Sequence, residues 1–565
     1  MQEDTPTEII EDKAAKAKLT DKELIEQRKK KVINFFKNKQ VWVVIVLLIA
    51  LMLGIYIRSM PMHDHTKAPA SFISFLFNPG NSFTGTPGLH DITTNTWTLG
   101  PDLDPYLFLR TAQSIAENGK VPKIDYMRNV PIGFDNSVET QVLPYLIYYT
   151  YIVTNTLGFD ISVMWAAVTL PVIMFVLTII SFFLFVREVF IREDKKEKIK
   201  ANLIAIISTF FMIVVPAFLS RTIAGIPEKE SAAFFFMFLA FYLFLKAWKT
   251  KKQIPSIILG ALSGLSTGAM GLIWGGVGYI FIVVAISTLL GFALGKVKIK
   301  ELSAYASWLV FAFGTLLTFS KRYTLMGLVT STGNMIMTLT LFIIIIHFVI
   351  WNTKLKNLKI LKKINLPKNI ISLIIGVIFL VILSVILFGP DFIIDKLKAF
   401  HQTFFKPVTG RWNITVAENR QPQFVEWAQS FGPYIKGIPV LFWLFFAGSA
   451  VLFKKILSKL KQKDSWIITG LYIFFFIALV FSRYSGSSVF NGDNFISKAF
   501  YYLGAIVFIA GLFYYYVKYE KQGHPGFKKI DYQYLLLFSL FFLCLFAARG
   551  AVRLVMVLAP VAPIF

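Results

Sequence analysis

Apolar runs of about 18 to 25 residues recur along the chain, the length that a bilayer core of roughly 30 Å demands of a helix. Spans are predicted near 41–57, 162–186, 201–219, 231–248, 255–272, 275–295, 302–318, 329–351, 370–388, 434–453, 465–482, 497–517 and 532–550. Lipid cannot hydrogen-bond a backbone, so these runs must be helices, and their continuous apolarity excludes the alternation of a barrel. The fold class is therefore an all-α polytopic membrane protein with long first and fifth outer loops. The first long polar stretch, 58–139, is rich in Pro, Gly, Asn and Thr and is predicted to be an ordered loop. Within it, Tyr106 to Asn118 reads as an amphipathic helix that Gly119 stops. Residues 141–157 are aromatic and only weakly apolar, which suits an interfacial helix better than a span. A second long loop is expected over 390–433.

Composition agrees: 56% of the 565 residues are hydrophobic and 16% charged. The net charge of +26 raises nucleic acid as a partner, but its distribution argues against it. Basic residues concentrate in 28–39, 192–200, 246–252, 352–368, 454–463 and 518–529, each a short connector between apolar runs or the leader before the first. That is the positive-inside pattern; no soluble domain or aromatic-basic platform accompanies it. It places the N-terminus and the charged leader, 1–40, in the cytoplasm, with 41–565 as the transmembrane domain of a cell-membrane protein. Counting from there puts loops 58–139, 220–230 and 390–433 together on the extracytoplasmic side. The first run lacks a small-residue cleavage pattern and reads as a retained span. The only cysteine, Cys544, lies inside an apolar run, so disulfides and thiolate metal sites are excluded. The chain stops at Phe565 within an apolar run, which reads as a truncated chain.

Three outer segments carry acids: Asp102-Leu-Asp104-Pro, Glu228-Lys-Glu230 and Thr415-Val-Ala-Glu418. Each has an ordinary explanation. Asp followed by Pro is a standard helix start, and Glu228 and Glu230 open a span where carboxylates favour the helix dipole. Glu418 alone is a solvated charge. Gathered on one membrane face, however, they make a candidate divalent-metal and acid/base site. Hard oxygen donors without cysteine suit Mg²⁺ or Mn²⁺ better than zinc. Arg221 stands seven residues before Glu228 at a membrane exit, where charge is expensive and usually functional. Arg549 and Arg553, near the outer end of the last run, could snorkel or hold a lipid phosphate.

Other features read more plainly. His63 and His65 suit solvated side chains better than a chelate. Trp274-Gly-Gly276 is predicted to be a tight hairpin in which Trp274 can also touch substrate. Asn413-Ile-Thr415 is an N-glycosylation sequon in an outer loop.

Taken in order, these segments resemble the catalytic subunit of asparagine-linked oligosaccharyltransferase in its archaeal and eukaryotic form. Asp102-Leu-Asp104-Pro-Tyr-Leu-Phe-Leu-Arg110, with Gly119-Lys-Val-Pro122 and Pro131-Ile-Gly-Phe-Asp135, is similar to the family's first acidic motif and its downstream stretch. Ser220-Arg-Thr-Ile-Ala-Gly225 with Glu228 and Glu230 resembles the second acidic motif, and Trp274-Gly-Gly276 a family turn. Thr415-Val-Ala-Glu418 resembles the fifth-loop motif that ends in a catalytic glutamate, and Arg553-Leu-Val-Met-Val-Leu-Ala-Pro560 the late arginine segment. The resemblance implies a GT-C type helical bundle. Its implied reaction is inverting transfer of a glycan from a polyprenyl (dolichyl) phosphate or pyrophosphate to the side-chain amide of Asn-X-Ser/Thr. The partners are then a lipid-linked oligosaccharide, an acceptor polypeptide and membrane lipid. By the same implication Asp104, Glu228 and Glu230 bind Mn²⁺ or Mg²⁺ around one point. Asp104 and Glu418 act on the acceptor amide, Arg553 contacts the lipid phosphate, and Arg221 orients the carboxylates. Asp102 stands beside them as a further candidate.

The chain departs from the family pattern in three ways. The second motif has Glu at both positions where Asp is commoner at the first. Two additional spans, about 465–518, precede the arginine segment. The soluble domain with the Trp-Trp-Asp-Tyr-Gly sequon-reading motif is missing, so this chain alone is expected to be nearly inactive. The nearest rival is another polyprenyl-phosphate-sugar transferase of the same fold, such as a protein O-mannosyltransferase; it would tolerate Glu418→Gln. A lipid or sugar transporter would instead pair its charges near the bilayer midplane.

Overall fold

The computed structural model describes residues 39–62, 88–91, 93–94, 96–192, 194–364, 366–405 and 415–565, with Glu26, Arg28 and Lys29. His63, His65, Asn413 and most of the leader lie outside the described residues. The chain divides into two units, 1–52 and 53–565, of which the second is by far the larger. Its helices of eight or more residues follow α1 (Lys39–Ser59), which begins in the first. They are α2 (Asp104–Asn118), α3 (Val142–Thr156), α4 (Val163–Phe190), α5 (Lys195–Val214), α6 (Lys229–Lys249), α7 (Gln253–Ile273), α8 (Gly278–Ala293) and α9 (Ile299–Phe319). There follow α10 (Met335–Asn352), α11 (Lys368–Phe388), α12 (Pro390–Phe405), α13 (Phe424–Phe431), α14 (Val440–Ile456), α15 (Gln462–Phe481), α16 (Phe495–Lys521) and α17 (Tyr532–Gly550).

Among the described residues, twelve helices are long and apolar enough to cross a membrane, and they coincide with twelve of the predicted spans. The exception is 201–219. Its helix, α5, opens on Lys195, Lys196, Glu197, Lys198 and Lys200, and Pro216 follows its end, which leaves too short an apolar stretch. It still packs along α4. Arg187 near the end of α4 donates to Asn202 at 2.7 Å, and the Ile213 carbonyl accepts from Arg58 at 2.7 Å. The 15-residue α3 is about 22 Å long at 1.5 Å per residue, too short to span.

Helix α7 shows how this sequence closes its core. Gly260, Gly264 and Gly268 share one face, and a Cβ at Gly260 would fall 2.5 Å from the Ala304 carbonyl oxygen of α9. The two backbones touch, as small residues allow between membrane helices. On its other side Ser256, Ser263 and Ser266 donate to the carbonyls of Ala247, Ala240 and Phe236 on α6. A helix held on both faces in this way ends at a defined height, and Trp274 follows it directly.

The polar loops are ordered where described. In the first, β1 (His90–Asp91) pairs with β2 (Thr96–Trp97) and β3 (Ile124–Asp125) with β4 (Phe134–Asp135), both antiparallel. Helix α2 stops at Gly119, whose φ of 75° is one that glycine adopts without strain. The Arg110 guanidinium on α2 pairs with Asp125 of β3 and so ties the helix to the second hairpin. The predicted loop 390–433 requires correction: its first 16 residues form α12. Phe392, Ile393, Leu397 and Phe400 recur there at helical spacing, while Asp391, Asp395, Lys396 and Lys398 made the stretch read as a polar loop.

Basic connectors meet at one end of the bundle. Arg192 pairs with Asp531 at 3.3 Å, Lys296 donates to the Lys528 carbonyl, and Lys300 donates to the carbonyls of Trp248 and Thr250. The acidic segments lie at the other end of the same helices. The two additional spans pack against each other as α15 and α16.

Candidate active site

The segment that carries Arg221 and Glu228 is fixed from beneath by Arg58. That side chain is fully buried, donates from Nε to Thr222 Oγ1 at 2.8 Å, and lies 4.0 Å from the Phe175 ring centroid. Its own carbonyl accepts from Ala224 N at 2.8 Å, and Gly225 N donates to Val168 on α4. Gly225 turns the chain with φ 83° while Leu89 covers it, so no side chain fits there. Gly100 N donates to the Gly225 carbonyl at 2.8 Å, which brings the first acidic motif alongside the second.

The two motifs border one polar cavity of about 690 Å³. Asp102, Asp104, Arg221, Glu228, Glu230, Trp274, Glu418 and Arg553 all line it. Arg221 sits among three carboxylates from three segments. Nη1 is 2.8 Å from Glu228 and 3.7 Å from Asp102, and Nη2 is 2.7 Å from Glu418. Burial works to lower the Arg221 pKa, but Glu228, Glu418 and Glu230 outweigh it and raise it. Burial, and then a hydrogen bond with Asp102, push the Glu228 carboxyl up to about 8 against the pull of Arg221. Glu228 and Glu230 are both buried, at 6% and 8% exposure.

Helix capping accounts for neither acidic pair. The residue before α2 is Leu103, which makes no side-chain cap; Asp104 is the first helical residue, and Asp102 Oδ1 accepts only from Leu103 N. Glu228 is the N-cap residue of α6, yet its carboxylate caps nothing and goes to Arg221.

Glu139, Arg128 and Lys229, which the motifs did not single out, form another wall. Lys229 Nζ lies 3.4 Å and Arg128 Nη2 3.5 Å from Glu139, and although burial works to raise the Glu139 pKa these cations bring it down. Four charged residues of the cavity make no hydrogen bond or ion pair through their side chains with a described residue: Asp104, Glu230, Arg322 and Arg553. Among the described residues no three His, Cys, Asp or Glu stand close enough together to hold an ion. Asp104, Glu228 and Glu230 thus share the cavity without forming a ready ligand set, and Arg221 lies among the acids instead.

Trp274 is 8% exposed, its ring 6.1 Å from those of Phe234 and Tyr279. It follows α7 into the short turn Gly275–Val277 that leads to α8, the predicted hairpin. Glu418 is held by backbone links of its loop to the bundle: Val552 N donates to the Arg420 carbonyl at 2.9 Å, and Phe424 N to that of Arg483 at 3.0 Å. Arg549 does not line the cavity; it is buried and donates to the Leu479 carbonyl and to Ser482. A second, apolar cavity of about 560 Å³ lies next to the first. Tyr279, Ile282, Ile286, Leu543, Phe546 and Leu554 line it, and Gly275 borders both cavities.

Comparison with known proteins decides the family. The model "Oligosaccharyl transferase STT3, N-terminal" matches residues 93–478, more than half of the chain. The chain belongs to the STT3 oligosaccharyltransferase family. Of the predicted residues that line the cavity, that match encloses all but Arg553. Dolichyl-phosphooligosaccharide-protein glycotransferase 2 of Archaeoglobus fulgidus is 30% identical over 200 residues, 35% of this chain and 30% of that protein. The STT3 subunit of the Saccharomyces cerevisiae dolichyl-diphosphooligosaccharide–protein glycosyltransferase is 29% identical over 119 residues, 21% of this chain and 16% of that one. Among solved structures, AglB from Archaeoglobus fulgidus in complex with an inhibitory peptide and a dolichol-phosphate aligns with a TM-score of 0.51 at 18% identity. An apo oligosaccharyltransferase from the same organism aligns at 0.52 and 19%. Each alignment covers 93% of this chain and 56% of the solved one. The chain thus spans little more than half the length of its solved relatives. The fold is that of this family's polytopic helical membrane enzymes.

Proposed function

We propose that the chain performs the lipid-side chemistry of asparagine-linked glycosylation. A glycan leaves a polyprenyl phosphate or pyrophosphate for the side-chain amide of an Asn-X-Ser/Thr acceptor, at the extracytoplasmic membrane face. One observation carries the reading. A polar cavity with unpaired carboxylates and unpaired arginines shares a wall, Gly275, with an apolar groove between helices. A lipid with a charged head and a long hydrocarbon tail has that division of polarity. The basic ends of the same helices lie opposite, which supports an extracytoplasmic cavity.

Within it, Arg553 is the cation for the carrier phosphate, and Arg221 holds Asp102, Glu228 and Glu418 in register. An amide nitrogen is a poor nucleophile because its lone pair is delocalised into the carbonyl. Asp104 and Glu418, accepting from its two N–H groups, would localise that pair for attack on the anomeric carbon with inversion. Trp274 forms the wall beside the bound lipid head. The donor set suits a hard divalent cation, Mn²⁺ or Mg²⁺. All the candidate ligands are oxygens, and Asp104 and Glu230 keep theirs uncommitted. Asp104 and Glu230 would have to draw together with Glu228, now on Arg221, to hold the ion, which when bound supplies positive charge for the departing phosphate.

The test is saturable binding of a lipid-linked oligosaccharide to the full chain in lipid nanodiscs. Binding is expected in the wild type, weakened by chelator and by Arg553→Ala. A wild type that binds no polyprenyl-linked phosphate at any concentration would overturn the reading.

A further inference from the structure

The two relatives' names differ in phosphate number, one dolichyl-phospho and one dolichyl-diphospho, and the motifs leave that number open. Arg322, which no motif predicted, bears on it. Its backbone N donates to Ser320 Oγ at 3.2 Å, and the next residue, Tyr323, donates its hydroxyl to the Gly271 carbonyl at 2.8 Å. The turn after α9 is thereby tied to the end of α7. Its guanidinium reaches Gly275: Nη2 would stand 3.8 Å from a Cβ built there. Gly275 is the residue common to the polar cavity and the apolar groove, so Arg322 stands where the two meet.

Arg553 belongs to a different segment and also reaches this junction. It lines the polar cavity, while its neighbour Leu554 lines the groove. The remaining cations of the cavity, Arg128, Arg221 and Lys229, are each engaged by a carboxylate. Arg322 and Arg553 are the two that no described carboxylate pairs. An anionic head whose tail lies in the groove enters the cavity that both arginines line, and guanidinium groups suit the fork geometry of phosphate oxygens.

We propose that Arg322 is a specificity-determining residue for the lipid head. With Arg553 it forms a two-sided clamp, Arg553 on the phosphate next to the sugar and Arg322 on the one next to the lipid, so that a diphosphate is preferred. This rests on the lipid-linked reading of the cavity.

The experiment measures binding of a polyprenyl monophosphate and the matching diphosphate to the full chain in nanodiscs. One charge-assisted contact predicts that Arg322→Ala weakens the diphosphate about tenfold or more and leaves the monophosphate within about twofold. Arg322→Lys keeps the charge but not the fork and should recover only part of the loss. The exposed neighbour Lys321, outside the cavity, serves as control, and Lys321→Ala should change neither lipid. Equal weakening of both lipids by Arg322→Ala, an unchanged diphosphate affinity, or the same effect from Lys321→Ala would overturn the clamp while leaving the lipid-linked reading intact. A wild type that binds neither lipid removes that reading, and the clamp with it.

Discussion

Gly276→Ala tests the junction through a clash. Gly276 follows Trp274 by two residues, and a Cβ built on it overlaps Cζ3, Cε3 and Cη2 of that indole. The ring cannot simply slide, because it is buried between Phe234 and Tyr279. If it were expelled, losing about 200 Å² of burial at ~25 cal/mol per Å² would cost up to ~5 kcal/mol. Partial repacking lowers this toward the ~1–3 kcal/mol typical of overpacked sites, so a loss of about 3 kcal/mol is expected. Trp274→Ala alone should cost about 3–5 kcal/mol by leaving a hole. The deciding comparison is the double mutant. With the indole gone, Gly276→Ala should cost less than ~0.5 kcal/mol, a large departure from additivity. Denaturation of the purified chain in detergent reads all four variants. Equal costs in both backgrounds, or no cost in the wild type, would refute the geometry. Lipid-phosphate binding should fall with Gly276→Ala as well, since the displaced ring faces the cavity.

Two further outcomes follow from the charges. Arg221→Ala leaves buried Glu228 without its hydrogen-bond donor, and Asp102 and Glu418 without their shared cation, whereas Glu418→Gln removes only a half-exposed partner. The first should lower the thermal midpoint clearly, and the second should cost no more than about 1 kcal/mol. For Asp125, burial alone would raise the pKa, but Arg110 and Met127 N lower it overall. Its folded pKa thus lies below the unfolded value of 3.8, so its contribution is present above that pH and lost as pH falls through the folded pKa. Asp125→Asn should destabilise the chain at pH ~7, with a deficit that shrinks as pH falls below the carboxylate range; a deficit that does not change with pH would contradict the pairing.

Local patterns carried much of this architecture. Twelve spans, the stop at Gly119 and the short α3 are consequences of apolar run length and of one residue with φ above zero. Where local signals misled, the reason is physical. Helix α12 mixes charges into a helical stripe and so resembled a loop, and the charged first turn of α5 shortens its apolar stretch. The motif acids that line the cavity were legible because each sits in an outer segment next to a predicted span, where a charge has few structural reasons to be. Arg58 carries that same signal, near the end of the first span. Glu139 and Arg322 had none, since their meaning comes from the cavity they line and, for Glu139, from a pairing with Lys229 ninety residues on. No local rule states that Arg221 would stand among three carboxylates from three segments.

That arrangement has a consequence for how the two proposed ligands interact. The cavity holds six carboxylates, Asp102, Asp104, Glu139, Glu228, Glu230 and Glu418, against five cations, Arg128, Arg221, Lys229, Arg322 and Arg553. Most are paired internally; two acids and two arginines are left over. A cation taken up by Asp104 and Glu230 adds positive charge to the cavity, and a phosphate taken up by the arginines adds negative charge. Each should therefore favour the other, and linkage requires the two effects to be equal. Saturating polyprenyl diphosphate is expected to tighten Mn²⁺ binding about tenfold, and saturating Mn²⁺ to tighten the lipid by the same factor. Titrations of each ligand in the presence and absence of the other measure both. Glu230→Gln should weaken the cation and reduce the coupling while leaving cation-free lipid binding near its wild-type value. Independent binding of the two, with the wild type holding both, would show that the unpaired acids and arginines do not act on one bound complex.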